Sequence, residues 1–284
     1  MSIAYTRSAL VLGIALTLTL GCQPQTKDYK SVVREFISQV NQHNPEAVKP
    51  LVHPDYIQHN PFIPTGRANF LKLFPVLKQY NTQAETVRMF QDGNFVVMQN
   101  LWKNADPFGA PQMVAFDVLR IDEDGLIAEH WDALMPLTPP NPSGRTLIDG
   151  PTEITDLDQT AANKAKTTAL FKILTSGDQK AIGEAIGEYF DPNYHQHNPD
   201  AGDGVAGFFE AVQSGKLTFA FQKQHKVLGE GNFVLSISEG THKGKPAVFY
   251  DLLRFDNGKI VEHWDVIQDI PTEGLANTNT MFGF

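Results

Sequence analysis

The sequence has only one cysteine, Cys22, among its 284 residues. A single thiol cannot form an internal disulfide, so apolar cores must stabilise the folded parts of the chain. The sequence also lacks an excess of positive charge, since 23 Lys and Arg stand against 32 Asp and Glu for a net charge of −9. Nucleic acid binds clustered Lys and Arg, so we do not expect it as a partner.

The short motifs of several enzyme classes are missing as well. The sequence has no glycine-rich phosphate loop, no nucleophile elbow and no catalytic-cysteine signature. His195 and His197 form a His-x-His pair of the kind that binds metals. The similar segment 56–61 has Ile57 in place of the first histidine. We therefore expect neither a metal nor a cofactor.

A short apolar segment, residues 9–20, follows Arg7 and ends at Gly21-Cys22. Its length is typical of a secretory signal peptide and is short for a membrane span, which needs about 20 apolar residues. The Leu-Gly-Cys ending resembles the lipobox of bacterial lipoproteins; the alternative is an ordinary cleaved signal followed by a buried thiol. We expect residues 1–22 to be a lipoprotein signal peptide. The exported protein would be anchored to the periplasmic face of a bacterial membrane by a lipid on Cys22.

The rest of the chain carries one pattern twice. Segment 56–61 (YIQHNP) recurs as 194–199 (YHQHNP), and segment 129–132 (EHWD) recurs unchanged as 262–265. Between them, two further positions match: Gly66 with Gly204, and Phe70 with Phe208. A period of this length indicates a duplicated domain and not a solenoid. We predict a first domain at 28–140, a linker at 141–158 and a second domain at 159–284.

Each copy begins with apolar residues at helical spacing and ends with strand-like patterns. In the first copy, helices are predicted near 32–40, 46–51 and 68–80, and strands near 85–90, 95–103, 113–121 and 126–135. This order predicts an α+β fold with two tandem domains. In each, N-terminal helices would pack on one face of a curved antiparallel sheet and leave a cavity.

A histidine and an aspartate lie two residues apart in the last predicted strand of each copy. His130 and Asp132 therefore share one face of the sheet, and so do His263 and Asp265. An aspartate in a half-apolar pocket has a raised pKa and can carry a proton near neutral pH. The alternative is a structural hydrogen-bond network within the sheet.

A second aspartate joins each of these faces only for particular turns. A two-residue turn at 124–125 places Asp117 opposite Asp132, and a three-residue turn at 256–258 places Asp251 on the face of Asp265. Other turns would move Asp117 and Asp251 to the opposite face.

Two histidines, His59 and His197, follow the second predicted helix in contexts typical of a loop. They are equally compatible with a polar position in the pocket and with a helix cap.

The YIQHNP entry, its spacing to Gly66 and Phe70, and the EHWD ending are similar to those of the SnoaL-like polyketide cyclases of the nuclear transport factor two superfamily. The resemblance implies a cone-shaped α+β domain in each copy. It also implies that a pocket aspartate, here Asp132 or Asp265, acts as acid and base in an intramolecular aldol ring closure without metal or cofactor. Where those cyclases carry a pocket histidine, this sequence has Asp117 and Asp251.

We predict a cofactor-independent enzyme that moves protons on carbon next to a carbonyl, in aldol condensation, cyclisation or isomerisation. Its bases would be Asp132 and Asp265, oriented by Asp117, Asp251, His130 and His263. A small hydrophobic carbonyl compound would contact Tyr56, His59, Tyr194 and His197. One alternative is a periplasmic protein that binds such a molecule without chemistry. Another is an intrachain pseudo-dimer that acts as a scaffold for a partner protein.

Overall fold

The computed structural model describes residue 1 and residues 27–284. Cys22 and all of the predicted signal peptide except Met1 lie outside the described residues, so their assignment stays a prediction. Within the described part of the chain, no helix has both the length and the apolar character that crossing a bilayer requires.

The first domain interleaves short helices with a sheet. Its elements are Tyr29–Asn41 (α1), Pro45–Val48 (α2), Val52–Gln58 (β1), Arg67–Phe70 (α3), Phe74–Tyr80 (α4), Gln83–Asp92 (β2), Phe95–Lys103 (β3), Gln112–Ile121 (β4) and Ile127–Pro136 (β5). The helix predicted at 68–80 is divided into α3 and α4 by a 3-10 turn. The division falls just before Pro75, which lies in the first turn of α4, where its missing N–H has no helical partner to lose.

The second domain repeats this order with longer helices. Its elements are Thr160–Leu174 (α5), Gln179–Tyr189 (α6), Phe190–Gln196 (β6), Gly204–Gln213 (α7), Phe219–Glu230 (β7), Phe233–His242 (β8), Lys245–Asp256 (β9) and Lys259–Asp269 (β10). The match between Gly66 and Gly204 in the two copies has a structural reason. Gly66 directly precedes α3 and Gly204 is the first residue of α7, with φ values of +93° and +75°. At Gly204 a Cβ atom would lie 2.7 Å from the carbonyl oxygen of Pro192.

Each domain contains one five-stranded sheet, in the orders β1-β5-β4-β3-β2 and β6-β10-β9-β8-β7. The predicted α+β class and tandem arrangement are confirmed. The prediction of an antiparallel sheet is correct for four strands and wrong for the fifth, because β1 runs parallel to β5 and β6 runs parallel to β10. Both sheets are therefore mixed.

The sequence prediction missed β1 because this strand has few apolar residues. Pro54 and Asp55 are exposed in its middle, and its buried positions are Val52, Tyr56 and Gln58. Proline is tolerated in β1 because this strand lies at the edge of the sheet, where an N–H can go unpaired. Since side chains alternate along a strand, Tyr56 and Gln58 face one side of the sheet and Ile57 faces the other.

The helices cover one face of each sheet, which we call the inner face. Asp28 caps α1 by accepting a hydrogen bond from the Ser31 backbone N–H. The helix buries a stripe formed by Val33, Phe36, Ile37 and Val40, and this stripe joins a core cluster with residues of the inner face.

The opposite, outer faces of the two sheets pack against each other. They share one core cluster, to which the first domain contributes Val97, Phe116 and Val118 and the second contributes Leu235, Tyr250 and Leu252. The aromatic rings of Phe116 and Tyr250 stack across this contact with their centroids 6.5 Å apart. The central strands of each sheet are thereby buried on both faces.

The segment that leaves each domain crosses to the other domain. The connector, residues 137–151, lies against the loop that follows β6, where the Asn141 amide donates to the carbonyl oxygens of Gln196 (2.6 Å) and Ala201 (2.9 Å). Beside it, Arg145 forms a bidentate ion pair with Asp203. The connector therefore supports the second domain.

The tail, residues 270–284, makes the equivalent contacts with the loop that follows β1. The Asn277 amide donates to the carbonyl oxygens of Asn60 (2.7 Å) and Ile63 (2.8 Å), and the Asn279 amide donates to the carbonyl oxygen of Gln58 at 2.9 Å. The tail of the second domain thus holds a loop of the first, as the connector holds a loop of the second.

We expect substitutions in the two segments to loosen opposite domains. A lost hydrogen bond costs about 1 kcal/mol, which corresponds to roughly fivefold faster amide exchange where exchange follows local opening. Asn277→Ala with Asn279→Ala should accelerate hydrogen exchange in residues 58–63 only. Asn141→Ala, the matched control, should accelerate it in residues 196–201 only. Exchange that rises equally in both loops, measured by mass spectrometry, would contradict this reciprocal support.

Candidate functional site

Each domain holds a cavity between its helices and the inner face of its sheet. The first pocket, in the first domain, is lined mainly by apolar side chains such as Phe36, Phe70 and Leu119. The second pocket is lined by Phe171, Phe221 and other aromatic and aliphatic residues. Each cavity has a volume of about 80 Å³, so neither copy has lost its pocket.

Three titratable side chains come together at the polar wall of the first pocket. The register of β4 and β5 places Asp117 directly opposite Asp132, as predicted. The predicted two-residue turn is wrong, because residues 123–125 form a three-residue turn and a bulge after Arg120 restores the register. The His130 Nε2 atom lies 2.9 Å from Asp117 Oδ1 and 4.0 Å from Asp132 Oδ2. The predicted carboxylate–histidine–carboxylate cluster is therefore present on the inner face.

Side chains from β1 and the loop after it complete this wall. The Asn60 backbone N–H donates to Gln58 Oε1 at 2.9 Å, and His130 Nδ1 contacts the same oxygen at 3.1 Å. Because this oxygen can only accept, His130 Nδ1 must be a donor, while its Nε2 faces the Asp117 carboxylate. Burial lowers the pKa of His130, but the Asp117 hydrogen bond and the nearby charge of Asp132 outweigh it, so the pKa is raised overall. This geometry favours an imidazolium.

One carboxylate oxygen of Asp132 accepts a hydrogen bond from a protein group, and the other accepts none from the described residues. The Asn60 amide donates to Asp132 Oδ2 at 3.0 Å, whereas Oδ1 is buried without a hydrogen-bond partner among the described residues. Burial raises the pKa of Asp132 to about 6; the charge of Asp117 adds to the rise, and His130 and Asn60 oppose it. This carboxyl group is therefore suited to exchange protons near neutral pH.

The second pocket repeats the arrangement. His263 Nε2 lies 3.1 Å from Asp251 Oδ1, and His263 Nδ1 lies 2.9 Å from Gln196 Oε1. The Asn198 amide donates to Asp265 Oδ2 at 2.7 Å. Burial again raises the pKa of the aspartate, here Asp265, to about 6. The two copies thus preserve the same base and the same orienting contacts.

The tyrosines predicted to contact substrate, Tyr56 and Tyr194, line the pockets. Their hydroxyl groups accept hydrogen bonds from Gln58 and Gln196. Burial raises the pKa of both phenols, so they stay neutral at physiological pH.

The two histidines predicted to contact substrate do not reach the pockets. His59 Nε2 contacts Glu129 at 2.9 Å, its Nδ1 contacts the Thr280 carbonyl at 2.5 Å, and its ring stacks on Trp131. His197 makes the same contacts with Glu262, Thr146 and Trp264. Both histidines lie on the outer side, where they join the sheet to the tail or connector, and this corrects the sequence interpretation.

The pocket amides are the functional residues that the sequence reasoning missed. Continuing the alternation of β1 beyond Gln58 turns Asn60 inward and His59 outward, and the same holds for Gln196, Asn198 and His197. Recognising a strand at 52–58 would therefore have found them.

The acidic cluster has spacing suited to a metal. Ligand atoms of Asp117, His130 and Asp132 lie within 4.8 Å of one another, as do those of Asp251, His263 and Asp265. Both nitrogens of each histidine already contact an acceptor, so a metal would have to displace a hydrogen bond. The prediction that no metal takes part stays a prediction.

Two solved structures are each similar to about two fifths of this chain. Among curated proteins, none matches this chain. An NTF2-like protein of unknown function from Cytophaga hutchinsonii is 17% identical, covers 40% of this chain and 96% of its own, and has a TM-score of 0.33. IdmH of Streptomyces antibioticus, a proposed polyketide cyclase, is 19% identical, covers 38% of this chain and 92% of its own, and has a TM-score of 0.33.

The SnoaL-like domain family matches the chain twice, at residues 33–130 and at residues 167–263. Each match begins within the first helix of a domain and ends at the histidine of its last strand. The two matches together span more than half of the chain, and the protein therefore belongs to the SnoaL-like domain family and carries that domain twice.

Proposed function

We propose that the protein is a cofactor-independent acid/base enzyme acting on carbon next to a carbonyl in a small hydrophobic compound. One observation carries this proposal: each apolar cavity contains a buried aspartate, Asp132 or Asp265, with one free oxygen and a pKa of about 6. A general base works best when its pKa lies close to the working pH.

The proposed reaction starts with a proton transfer to Asp132 Oδ1. The C–H bond next to the carbonyl breaks, an O–H bond forms on the aspartate, and the electron pair moves onto the carbonyl oxygen as an enolate. The protonated Asp132 then returns its proton. Return to another carbon completes an isomerisation. If the enolate carbon first attacks a second carbonyl, the proton goes to the new alkoxide and completes an aldol reaction.

Tyr56 supplies a donor for the developing negative charge. Its hydroxyl oxygen accepts from the Gln58 amide at 3.1 Å, which leaves the phenolic proton free to donate to a substrate carbonyl. Because burial raises the pKa of Tyr56, the group remains a neutral donor. A donor fixed in a water-poor cavity stabilises an oxyanion without reorganising. Tyr194 would do the same in the second pocket.

His130 and Asp117 act as positioning residues in this proposal. Gln58 and Asp117 hold the imidazolium of His130 in place, with Nε2 at 4.0 Å from Asp132. Its positive charge favours the ionised form of Asp132 and partly offsets the effect of burial. Without this charge, the pKa of Asp132 would be higher and a smaller fraction of the carboxyl group would be ionised at neutral pH.

Replacing both bases should abolish proton transfer. We expect Asp132→Asn with Asp265→Asn to lower turnover by about 10²–10⁴, the usual size of a general acid–base effect, and to change ligand affinity little. Each single substitution should leave roughly half of the activity if the two pockets work independently. The measurement is protein-dependent deuterium uptake at the α-carbon of ketones and β-keto esters in heavy water, followed by NMR.

Asp191→Asn serves as the control, because Asp191 is a half-buried residue of the edge strand β6 that lines neither pocket. Uptake that survives the double substitution would contradict the assignment of the base. Loss of uptake after treatment with a chelator would contradict metal independence. No uptake from any compound would favour a protein that binds the ligand without chemistry.

The pH profile should report the raised pKa of the two aspartates. The base must be ionised to accept a proton, so kcat/KM should fall about tenfold per pH unit below the pKa and level off above it. The midpoint is expected at a pH of about 6. Asn60→Ala with Asn198→Ala removes a hydrogen bond that lowers this pKa, so the midpoint should move to higher pH. A flat profile from about pH 5 to about pH 8 would argue against these bases.

A further inference from the structure

The two pockets differ at one position beside the histidine–aspartate pair. Asn100 on β3 lies opposite Ala115, two residues before Asp117. Ser238 on β8 lies opposite Phe249, two residues before Asp251. Asn100 and Ser238 are therefore equivalent positions with side chains of different reach.

In the first pocket, Asn100 satisfies the second oxygen of Asp117. Its amide nitrogen donates to Asp117 Oδ2 at 2.8 Å, while His130 contacts Oδ1. The Thr86 hydroxyl donates to the Asn100 amide oxygen at 2.7 Å, which fixes the orientation of the amide. Both oxygens of Asp117 thus have a donor within the protein.

In the second pocket, the corresponding oxygen has no donor. Asp251 Oδ2 is buried without a hydrogen-bond partner in the part of the chain that the structure describes, and the residue is only 5% exposed. Ser236 and Ser238 lie on the neighbouring strand, but their hydroxyls contact each other at 3.5 Å, and the Gln224 amide donates to Ser236. Burial raises the pKa of Asp251 even though His263 opposes the rise.

A buried acceptor without a partner is costly, so such an atom marks a place that a ligand can complete. Asp251 lines the second pocket, and Asp265 Oδ1 is also unpartnered there. The second pocket therefore offers two free acceptor oxygens, whereas the first offers only Asp132 Oδ1. The second pocket is also richer in aromatic side chains, among them Phe190, Phe208, Phe219 and Phe249.

We infer that the second pocket binds an aromatic compound whose hydroxyl group donates a hydrogen bond to Asp251 Oδ2, and that Asn100 withholds this contact from the first pocket. The two domains would then take different ligands. The inference rests on the proposed function only in treating the cavities as ligand sites, and binding without turnover tests it separately.

The test compares 4-fluorophenol with 4-fluoroanisole, in which a methyl group replaces the hydroxyl proton, by fluorine NMR titration. The full protein carries Asp132→Asn and Asp265→Asn throughout, so that Asp132 Oδ1 and Asp265 Oδ1 do not offer the phenol a second free carboxylate. We expect one site to bind the phenol about tenfold more tightly than the anisole, the size of one hydrogen bond to a carboxylate. In Ser238→Asn, an amide should occupy Asp251 Oδ2 and remove this preference. In Asn100→Ser, the first pocket should gain it, so that two sites prefer the phenol.

Thermal melting would show whether each variant is folded. If Ser238→Asn does not fold, comparing Asn100→Ser with the protein that keeps Asn100 still tests the inference, because serine is smaller than asparagine and fits the same space. Equal affinity for the two compounds, no binding of the phenol, or a preference unchanged by both variants would each overturn the inference. If the phenol preference is observed but the wild-type protein catalyses no deuterium uptake, the proposed acid/base function alone would be overturned.

Discussion

The structure depends on the packing of one sheet against the other. Each sheet has helices on its inner face and the other domain on its outer face, so its central strands are buried on both sides. In β4 and β9 most positions are buried, including those of Asp117 and Asp251. Water cannot compensate a charge in such a strand, so its partners must come from the protein or from a bound ligand.

The last strand of each domain illustrates how one segment serves two environments. On the inner side, burial dominates at Asp132 and raises its pKa. On the outer side, burial acts in the same direction on Glu129, but hydrogen bonds from His59 and Arg120 outweigh it and lower the pKa. Carboxyl groups three residues apart therefore have opposite tendencies, set by the donors that each face provides. The outer carboxylate stays charged and structural, while the inner one can change its protonation state.

Much of the fold and the site could be predicted because repeated residues marked the domains and alternation marked the strands. The faces of Asp117 and Asp251 were predicted correctly, but neither turn has the predicted length, and a bulge in each hairpin restores the register. The parallel strand β1 escaped prediction because Pro54 and Asp55 resemble a turn, and its pairing with β5 is a contact distant in sequence. That omission placed His59 in the pocket in error and hid Asn60. His59 also contacts Thr280 in the tail, which is distant from it in the sequence. No periodic pattern in the sequence predicts such a contact.

The crossing of the connector and the tail bears on how such a chain could arise. Two separate copies of the domain, each extending its C-terminal segment over the other, would make the same contacts in a symmetric dimer. Joining them end to end keeps these contacts and needs no new interface. Once both copies are encoded in one gene, a substitution at the position shared by residues 100 and 238 affects only one of them. Fusion thus releases the two halves from the identity that a homodimer imposes, and each can be selected separately.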